Sequence, residues 1–300
     1  LTSLVNLNFS NTNLKSLDLS SNTLLETLTI DFMSGFYLDL SSNTALTSFS
    51  ANSSDLNSLN IKNGNNTNIT SFDARSNQFT CITVDDPTAG YLSTWQKDSK
   101  ASFELDCSTT NILDTNFEYH LENHDANGNV VPVGSPNSMG NGILDDGKVF
   151  TSRIQNVTYL NISSNSIDEL DGLEVFESLE ILDCSENNFN EFDFSQLPEL
   201  KELYIHDLFF AVLNLSSNLK IEKLIYNNAN SITLNLGNNT VIKELNIGGN
   251  NITSFDVSAY TTLEVLNIDE NYQILPLNVR PLTNLKDLSA NNTSLQSLDV

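Results

Sequence analysis

The sequence predicts a β-rich parallel solenoid of the α/β class, built as two arrays of short coils with a cap and an insertion between them. Three observations predict it. A pattern L-x-x-L-x-L returns every 21 or 22 residues, a second strand-like beat falls between returns, and both rhythms stop over a central stretch.

In the later array the main beat has its central leucine at Leu160, Leu182, Leu203, Leu224, Leu245, Leu266 and Leu288, in steps of 22, 21, 21, 21, 21 and 22. The second beat falls at residues 192–194, 213–215, 234–236, 255–257, 277–279 and 298–300. In the first quarter of the chain the same two beats run through Leu7, Leu28, Phe49 and Phe72, and through Leu17, Leu38, Leu59 and Ile82. Side chains on a strand alternate faces, so each short apolar–polar alternation turns Leu or Ile inward and Asn, Asp, Ser or Thr outward. Adjacent coils then pair their strands in parallel, which is the organisation of a leucine-rich-repeat solenoid with repeats of about 21 residues.

Asn22, Asn43, Asn165, Asn187 and Asn250 follow strands, where the coil turns and leaves backbone groups without ladder partners. A buried Asn side chain satisfies such groups from one coil to the next, and an orphaned group costs about 1–3 kcal/mol. Two turns depart from this habit, at Phe32-Met33 and Leu208-Phe209-Phe210; their apolar side chains are either exposed for contacts or buried locally.

The rhythm stops after Val84 and resumes near Val157. A solenoid's last coil must be covered, so the segment from Asp85 to Cys107 reads as the closing cap of the first array, with Trp95 and Phe103 over its end. Asp114 then suits the N-cap of a short amphipathic helix carrying Phe117 and Leu121 four residues apart. A Gly/Asn/Asp/Pro-rich loop of about 20 residues follows, a length that is usually functional, ion-ordered or mobile. The expected organisation is a first array over 1–107, a cap helix and insertion over 108–156, and a second array over 157–300.

Cys81 and Cys107 flank the closing cap, 26 positions apart. A disulfide closing that loop would stabilise by about 3 kcal/mol in the chain-entropy model, and two buried thiols are the alternative. Cys184 stands at an inward strand position, where a thiol packs as a small apolar group.

Acidic residues outnumber basic ones 38 to 13, a formal charge of −25. Such a surface repels phosphate backbones and anionic headgroups, which argues against nucleic acid as a partner. No apolar run approaches the roughly 18–20 residues of a transmembrane helix. With neither Met nor a signal-like segment at Leu1, and with Leu298-Asp299-Val300 inside a repeat, the chain reads as part of a longer polypeptide.

The segments Asn111-Ile-Leu-Asp-Thr-Asn-Phe-Glu, Asn141-Gly-Ile-Leu-Asp-Asp-Gly-Lys-Val, Asn156-Val-Thr-Tyr-Leu-Asn-Ile-Ser and Leu179-Glu-Ile-Leu-Asp-Cys-Ser-Glu-Asn-Asn resemble the leucine-rich-repeat modules of secreted Bacteroidetes (Flavobacteriia-type) surface proteins. Cys81-Ile-Thr-Val-Asp-Asp-Pro with Trp95 resembles the closing cap of the same modules. The resemblance implies one module ending near Cys107, a second starting near Asn111, and export by the type IX route to the outer cell surface. The C-terminal sorting domain of that family is absent from these residues.

Candidate chemistry is sparse. Asp125, Asn127 and Asn129 offer oxygens at alternate positions, as the first half of a calcium loop does, and Asp145 and Asp146 could return from the other end of the insertion. No Glu stands at the twelfth position, and Asn and Asp also build plain turns. His120 and His124 lie one helical turn apart but lack the zinc-protease arrangement, so a solvated helix face is expected. His206 beside Asp207 has no Ser nucleophile in a Gly-flanked turn and no phosphate loop, so no enzyme is indicated. About ten Asn-x-Ser/Thr matches follow from composition.

Binding is expected on the concave face formed by the main strands of the second array. Its outward residues include Tyr159, Asp183, Glu202, Tyr204, His206, Lys223, Ile225, Glu244 and Val265, with Tyr204, Ile225 and Val265 read as an apolar patch on successive coils. The expected function is a secreted or cell-surface adhesion module that recognises a protein or a polysaccharide. The alternative is a structural spacer with no ligand of its own.

Overall fold

The computed structural model describes residues 1–300 apart from Asn13, Ser34, residues 230–232, Ser254, Leu275, Pro276, Ser297 and Val300. Two compact units emerge, Leu1–Ser108 and Thr109–Val300. Each is a leucine-rich-repeat solenoid of three-residue parallel strands with little helix.

In the first unit a five-stranded parallel sheet joins Asn6–Asn8, Thr27–Thr29, Ser48–Ser50, Ser71–Ala74 and Gln96–Lys97. A four-stranded sheet joins Tyr37–Asp39, Ser58–Asn60, Cys81–Thr83 and Ser102–Glu104. Leu17, expected on a strand, packs against the core without forming one. The cap does more than cover the end, because its segments Gln96–Lys97 and Ser102–Glu104 extend both sheets by one rung. Trp95 stacks on Phe72 at 4.2 Å between ring centres, and Phe103 meets Trp95 edge-on at 5.8 Å. Cys81 and Cys107 are disulfide-bonded across this cap.

The second unit opens with Thr109–Asn111 paired antiparallel to Lys148–Phe150, enclosing the helix Thr115–Asn123 and the insertion. Asp114 caps the helix, its Oδ1 accepting from the amides of Asn116 and Phe117 at 2.8 and 2.9 Å. Its Oδ2 accepts from the Asp168 amide at 2.7 Å, tying the helix to the repeats. Phe117 and Leu121 are fully buried and belong to the repeats' core.

A seven-stranded parallel sheet follows: Tyr159–Asn161, Ile181–Asp183, Glu202–Tyr204, Lys223–Ile225, Glu244–Asn246, Val265–Asn267 and Asp287–Ser289. Its central leucines stand in register from Leu160 to Leu288. Burying each such side chain contributes about 1.5–3 kcal/mol. Among the described residues the second beat forms ladders only in pairs, Val212–Asn214 with Thr233–Asn235 and Leu277–Asn278 with Leu298–Asp299. Residues 192–194 and 255–257, expected as strands, are not. Asp193 instead caps a 3-10 turn at Phe194–Gln196 by accepting from the Ser195 amide, a local bond that competes with a sheet ladder. Val300, placed in the last strand by its spacing, lies outside the described residues.

Each turn after a main strand places one residue in the left-handed region: Ser164, Glu186, Asp207, Asn228, Gly249, Glu270 and Asn292, with φ between 54° and 65°. Only Gly249 adopts this without steric cost, so the others are held by their neighbours. Part of that hold is the asparagine that follows. Asn250 donates from Nδ2 to the carbonyls of Tyr226 and Ile247 at 2.7 and 3.0 Å, while its Oδ1 accepts from the Ala229 amide. Asn187 and Asn271 repeat the bridge. Where the Asn is missing, Leu208 and Phe210 are buried while Phe209 is exposed; in the first unit Met33 is buried and Phe32 exposed.

Candidate binding face

Strand register sorts the outward residues of the seven-stranded sheet into columns. One column runs Tyr159, Ile181, Glu202, Lys223, Glu244, Val265, Asp287; the other runs Asn161, Asp183, Tyr204, Ile225, Asn246, Asn267, Ser289. Tyr204 and Ile225 are therefore direct neighbours. Val265 is not part of their patch: it stands in the other column, and the coil of Glu244–Asn246 separates it from Ile225. Ile181, overlooked because it directly precedes an inward leucine, is outward, half-buried, paired with Tyr159 and diagonal to Tyr204. The four apolar groups Tyr159, Ile181, Tyr204 and Ile225 thus occupy four consecutive coils.

Polar contacts fix this strip. The Tyr204 hydroxyl donates to Glu202 Oε2 at 2.8 Å, and the Lys223 ammonium lies 5.4 Å from the Tyr204 ring centre. Lys223 also pairs with Glu244 at 2.9 Å. Partial burial, then the Glu202 bond, raise the Tyr204 pKa, and the bond to Glu244 raises that of Lys223. Both groups therefore keep their neutral-pH forms, a phenol and an ammonium. Asp183 is half-buried, its Oδ1 accepting from the Ser185 amide at 3.2 Å. His206 lies past the strand on the turn, with Nδ1 2.8 Å from Asp207 Oδ2.

One position before the strands, Glu180, Lys201, Glu222, Lys243, Glu264 and Lys286 form a column of alternating sign. Backbone bonds join each amide to the preceding coil's carbonyl at 2.8–2.9 Å, from Glu180 to Thr158 onward to Lys286. Ion pairs link Lys201 to Glu180 at 2.8 Å, Lys243 to Glu222 at 2.6 Å and Lys286 to Glu264 at 2.6 Å. The strand-centred reading of the sequence passed over this ladder, whose signal was its fixed spacing one position before each strand.

The insertion is ordered by carboxylates. Buried Glu122 accepts from the Asn141 amide at 2.5 Å and the Gly142 amide at 2.9 Å, and buried Glu118 accepts from the amides of Asp146 and Gly147 at 3.0 and 3.1 Å. A Cβ at Gly140 would fall on the Glu122 carboxylate, which is why a glycine passes there. Arg153 Nη1 donates to the Gly140 carbonyl at 2.8 Å and the Ser138 carbonyl at 3.2 Å. Burial raises the pKa of both glutamates.

Asp125, Asn127 and Asn129 form a turn closed by its own bonds. Asp125 Oδ1 accepts from the amides of Asn127 and Asn129, both at 2.9 Å, and Asn129 Nδ2 donates to Oδ2 at 3.1 Å. These are the bonds of a plain Asn/Asp turn, the alternative weighed beside calcium. Asp145 belongs to a separate exposed turn, at φ 60°. The Asp125 turn also borders the candidate face: a Cβ on Gly128 would stand 3.2 Å from the Tyr159 ring.

The histidine pair also departs from expectation. His120 is buried, its ring stacked on His124 at 3.9 Å, because the helix lies with that side against the repeats. Burial, then the neighbouring His124, lower its pKa to about 4. Cys184 is fully buried, and burial pushes its thiol well up.

The repeat register makes the chain a leucine-rich-repeat solenoid protein. No protein-family model and no curated protein matches it. Solved structures similar to it include the functional domain of the Listeria monocytogenes internalin InlJ, at 24% identity over 100% of this chain and 60% of that chain, TM-score 0.34. This chain therefore spans about 60% of the length of that solved domain. An internalin (InlF) of the same organism shows 18% identity over 98% and 82% of the two chains, TM-score 0.43. A leucine-rich-repeat protein of Leptospira interrogans shows 16% over 99% and 81%, TM-score 0.37. Among the described residues no helix is long and apolar enough to cross a membrane.

Proposed function

We propose that the second unit is a recognition module that binds a protein or a polysaccharide on the outward face of its seven-stranded sheet. One observation carries this reading: register gathers Tyr159, Ile181, Tyr204 and Ile225 into a single apolar strip beside paired charges. Half-buried aromatic and aliphatic groups with a polar surround are what a contact patch offers a protein or a sugar ring. The reading places the chain outside a bacterial cell, as an adhesion module at the cell surface. The Cys81–Cys107 disulfide supports an oxidising compartment. Export by the type IX route rests on the resemblance of its segments to secreted Bacteroidetes modules. No catalytic role is proposed.

The alternating Glu–Lys column favours a second reading, a stiff spacer whose charges are satisfied internally. Retention of bacterial and host surface proteins and polysaccharides on the immobilised chain, compared with a Tyr204→Ser, Ile225→Ser double variant, separates the two. Saturable retention that the double variant loses supports recognition. Equal retention by both would move the contact to another surface, and no retention by either leaves the spacer.

A further inference from the structure

A second feature lies off this face, on the edge where the coils turn. Glu186 and Asp207 are the left-handed residues of consecutive turns, at φ 54° and 56°, so their carboxylates stand in one column on adjacent coils. The backbone fixes both: the Glu186 amide donates to the His206 carbonyl at 3.1 Å, and the Asp207 amide to the Asn227 carbonyl at 3.0 Å. The flanking positions of this column, Ser164 and Asn228, are uncharged. Elsewhere on the unit, stacked glutamates are separated by lysines. Here the group beside the two acids is an imidazole. His206, Glu186 and Asp207 each present a ligand atom within 4.8 Å of the other two, and they are the only such group of three or more His, Cys, Asp or Glu among the described residues. The Ser164 hydroxyl orients Glu186 by donating to Oε2 at 2.9 Å.

We propose that Glu186, His206 and Asp207 bind a first-row divalent transition metal of the zinc class, with water completing the coordination. Two carboxylates side by side repel, and a divalent ion between them converts that repulsion into attraction. An imidazole with carboxylates is a zinc donor set, whereas calcium and magnesium take oxygen ligands. Zinc draws its ligands in to about 2.0–2.2 Å, so they must close up from their present spacing. The side chains are solvent-accessible, at 29% for His206 and 44% for Asp207, and can make that movement without disturbing the core. The site extends the turn edge rather than the apolar strip, so it stands or falls separately from the recognition function.

Calorimetric titration of the whole chain with zinc chloride, and in parallel with calcium chloride, tests this. The chains compared are the parent, His206→Gln, Glu186→Gln and His124→Gln, the last to watch the other histidine pair. One zinc per chain is expected, with affinity reduced about tenfold or more by His206→Gln and Glu186→Gln and unchanged by His124→Gln. Calcium should bind more weakly than zinc. The proposal is overturned by absence of saturable zinc binding in the parent, by full affinity in His206→Gln, or by loss in His124→Gln alone.

Discussion

Lys243 reaches back across one coil to Glu222, with Nζ 2.6 Å from Oε2, while its amide donates to the Glu222 carbonyl at 2.8 Å. Backbone and side chain therefore bind the same two coils at one point. The next residue of the column is Glu264, so Lys243 separates two carboxylates. Lys243→Glu would stack three like charges. Its urea midpoint should fall below that of the parent at low salt, and the gap should narrow at high salt, because exposed charges are screened within about 10 Å at 0.1 M. A gap indifferent to salt would mean that the lysine acts through its aliphatic stem.

Asn250 supports its turn with both ends of its amide. Replacing it with Ala removes the bridge to the Tyr226 and Ile247 carbonyls and leaves the Ala229 amide without its acceptor. A loss of about 3 kcal/mol is expected, since each buried group left unpaired costs about 1–3 kcal/mol. Urea unfolding followed by circular dichroism measures it; a loss below about 1 kcal/mol would show that water takes over the bonds.

Trp95 is the chain's single tryptophan and sits in the cap that Cys81–Cys107 closes. Its fluorescence therefore reports the first unit alone. Reduction should destabilise the Trp95 transition by about 3 kcal/mol in the loop-entropy model. The circular-dichroism transition of the second unit should not move. Equal shifts in both would show that the two units unfold together.

The second unit should lose stability in mild acid. His120 has its pKa lowered from 6.5 to about 4, so the unfolded chain binds the extra proton between those values and stability falls as pH drops through that window. The span corresponds to about 3 kcal/mol. Glu118 and Glu122, whose folded pKa values are raised, act with the opposite sign: the folded state binds more protons above their ordinary range, so they favour folding as pH falls. His120→Asn should remove the acid-side slope between pH 6.5 and 4, whatever it does to absolute stability. An unchanged slope would assign the acid sensitivity to other groups.

The repeat was legible because its period needs only one chain and a count: Leu160 to Leu288 announces seven stacked strands before any contact is known. The cap helix was legible for the same local reason, Asp114 ahead of Phe117 and Leu121. What stayed hidden depends on contacts between distant residues. The order of the insertion comes from Glu118 and Glu122 reaching amides 19 to 29 positions away, and no local pattern marks a carboxylate as buried. Likewise Phe192 stands on the same apolar beat as Leu213, yet Asp193 caps a 3-10 turn from Phe194 onward and no strand forms there.

Ile181 provides the sharpest test of the face, because only register places it there. Ile181→Ser should reduce ligand retention as strongly as Ile225→Ser, since both residues border Tyr204, one diagonally and one directly. Val265→Ser should leave retention intact, its place in the column lying two coils beyond Lys223, with Glu244 between them. All three side chains are half-buried β-branched groups on the same sheet, so similar small losses of stability are expected from each. A difference in retention between them therefore reports position and not folding. If Val265→Ser abolishes retention while Ile181→Ser does not, the ligand lies toward the C-terminal coils and the strip of Tyr159, Ile181, Tyr204 and Ile225 is not its site.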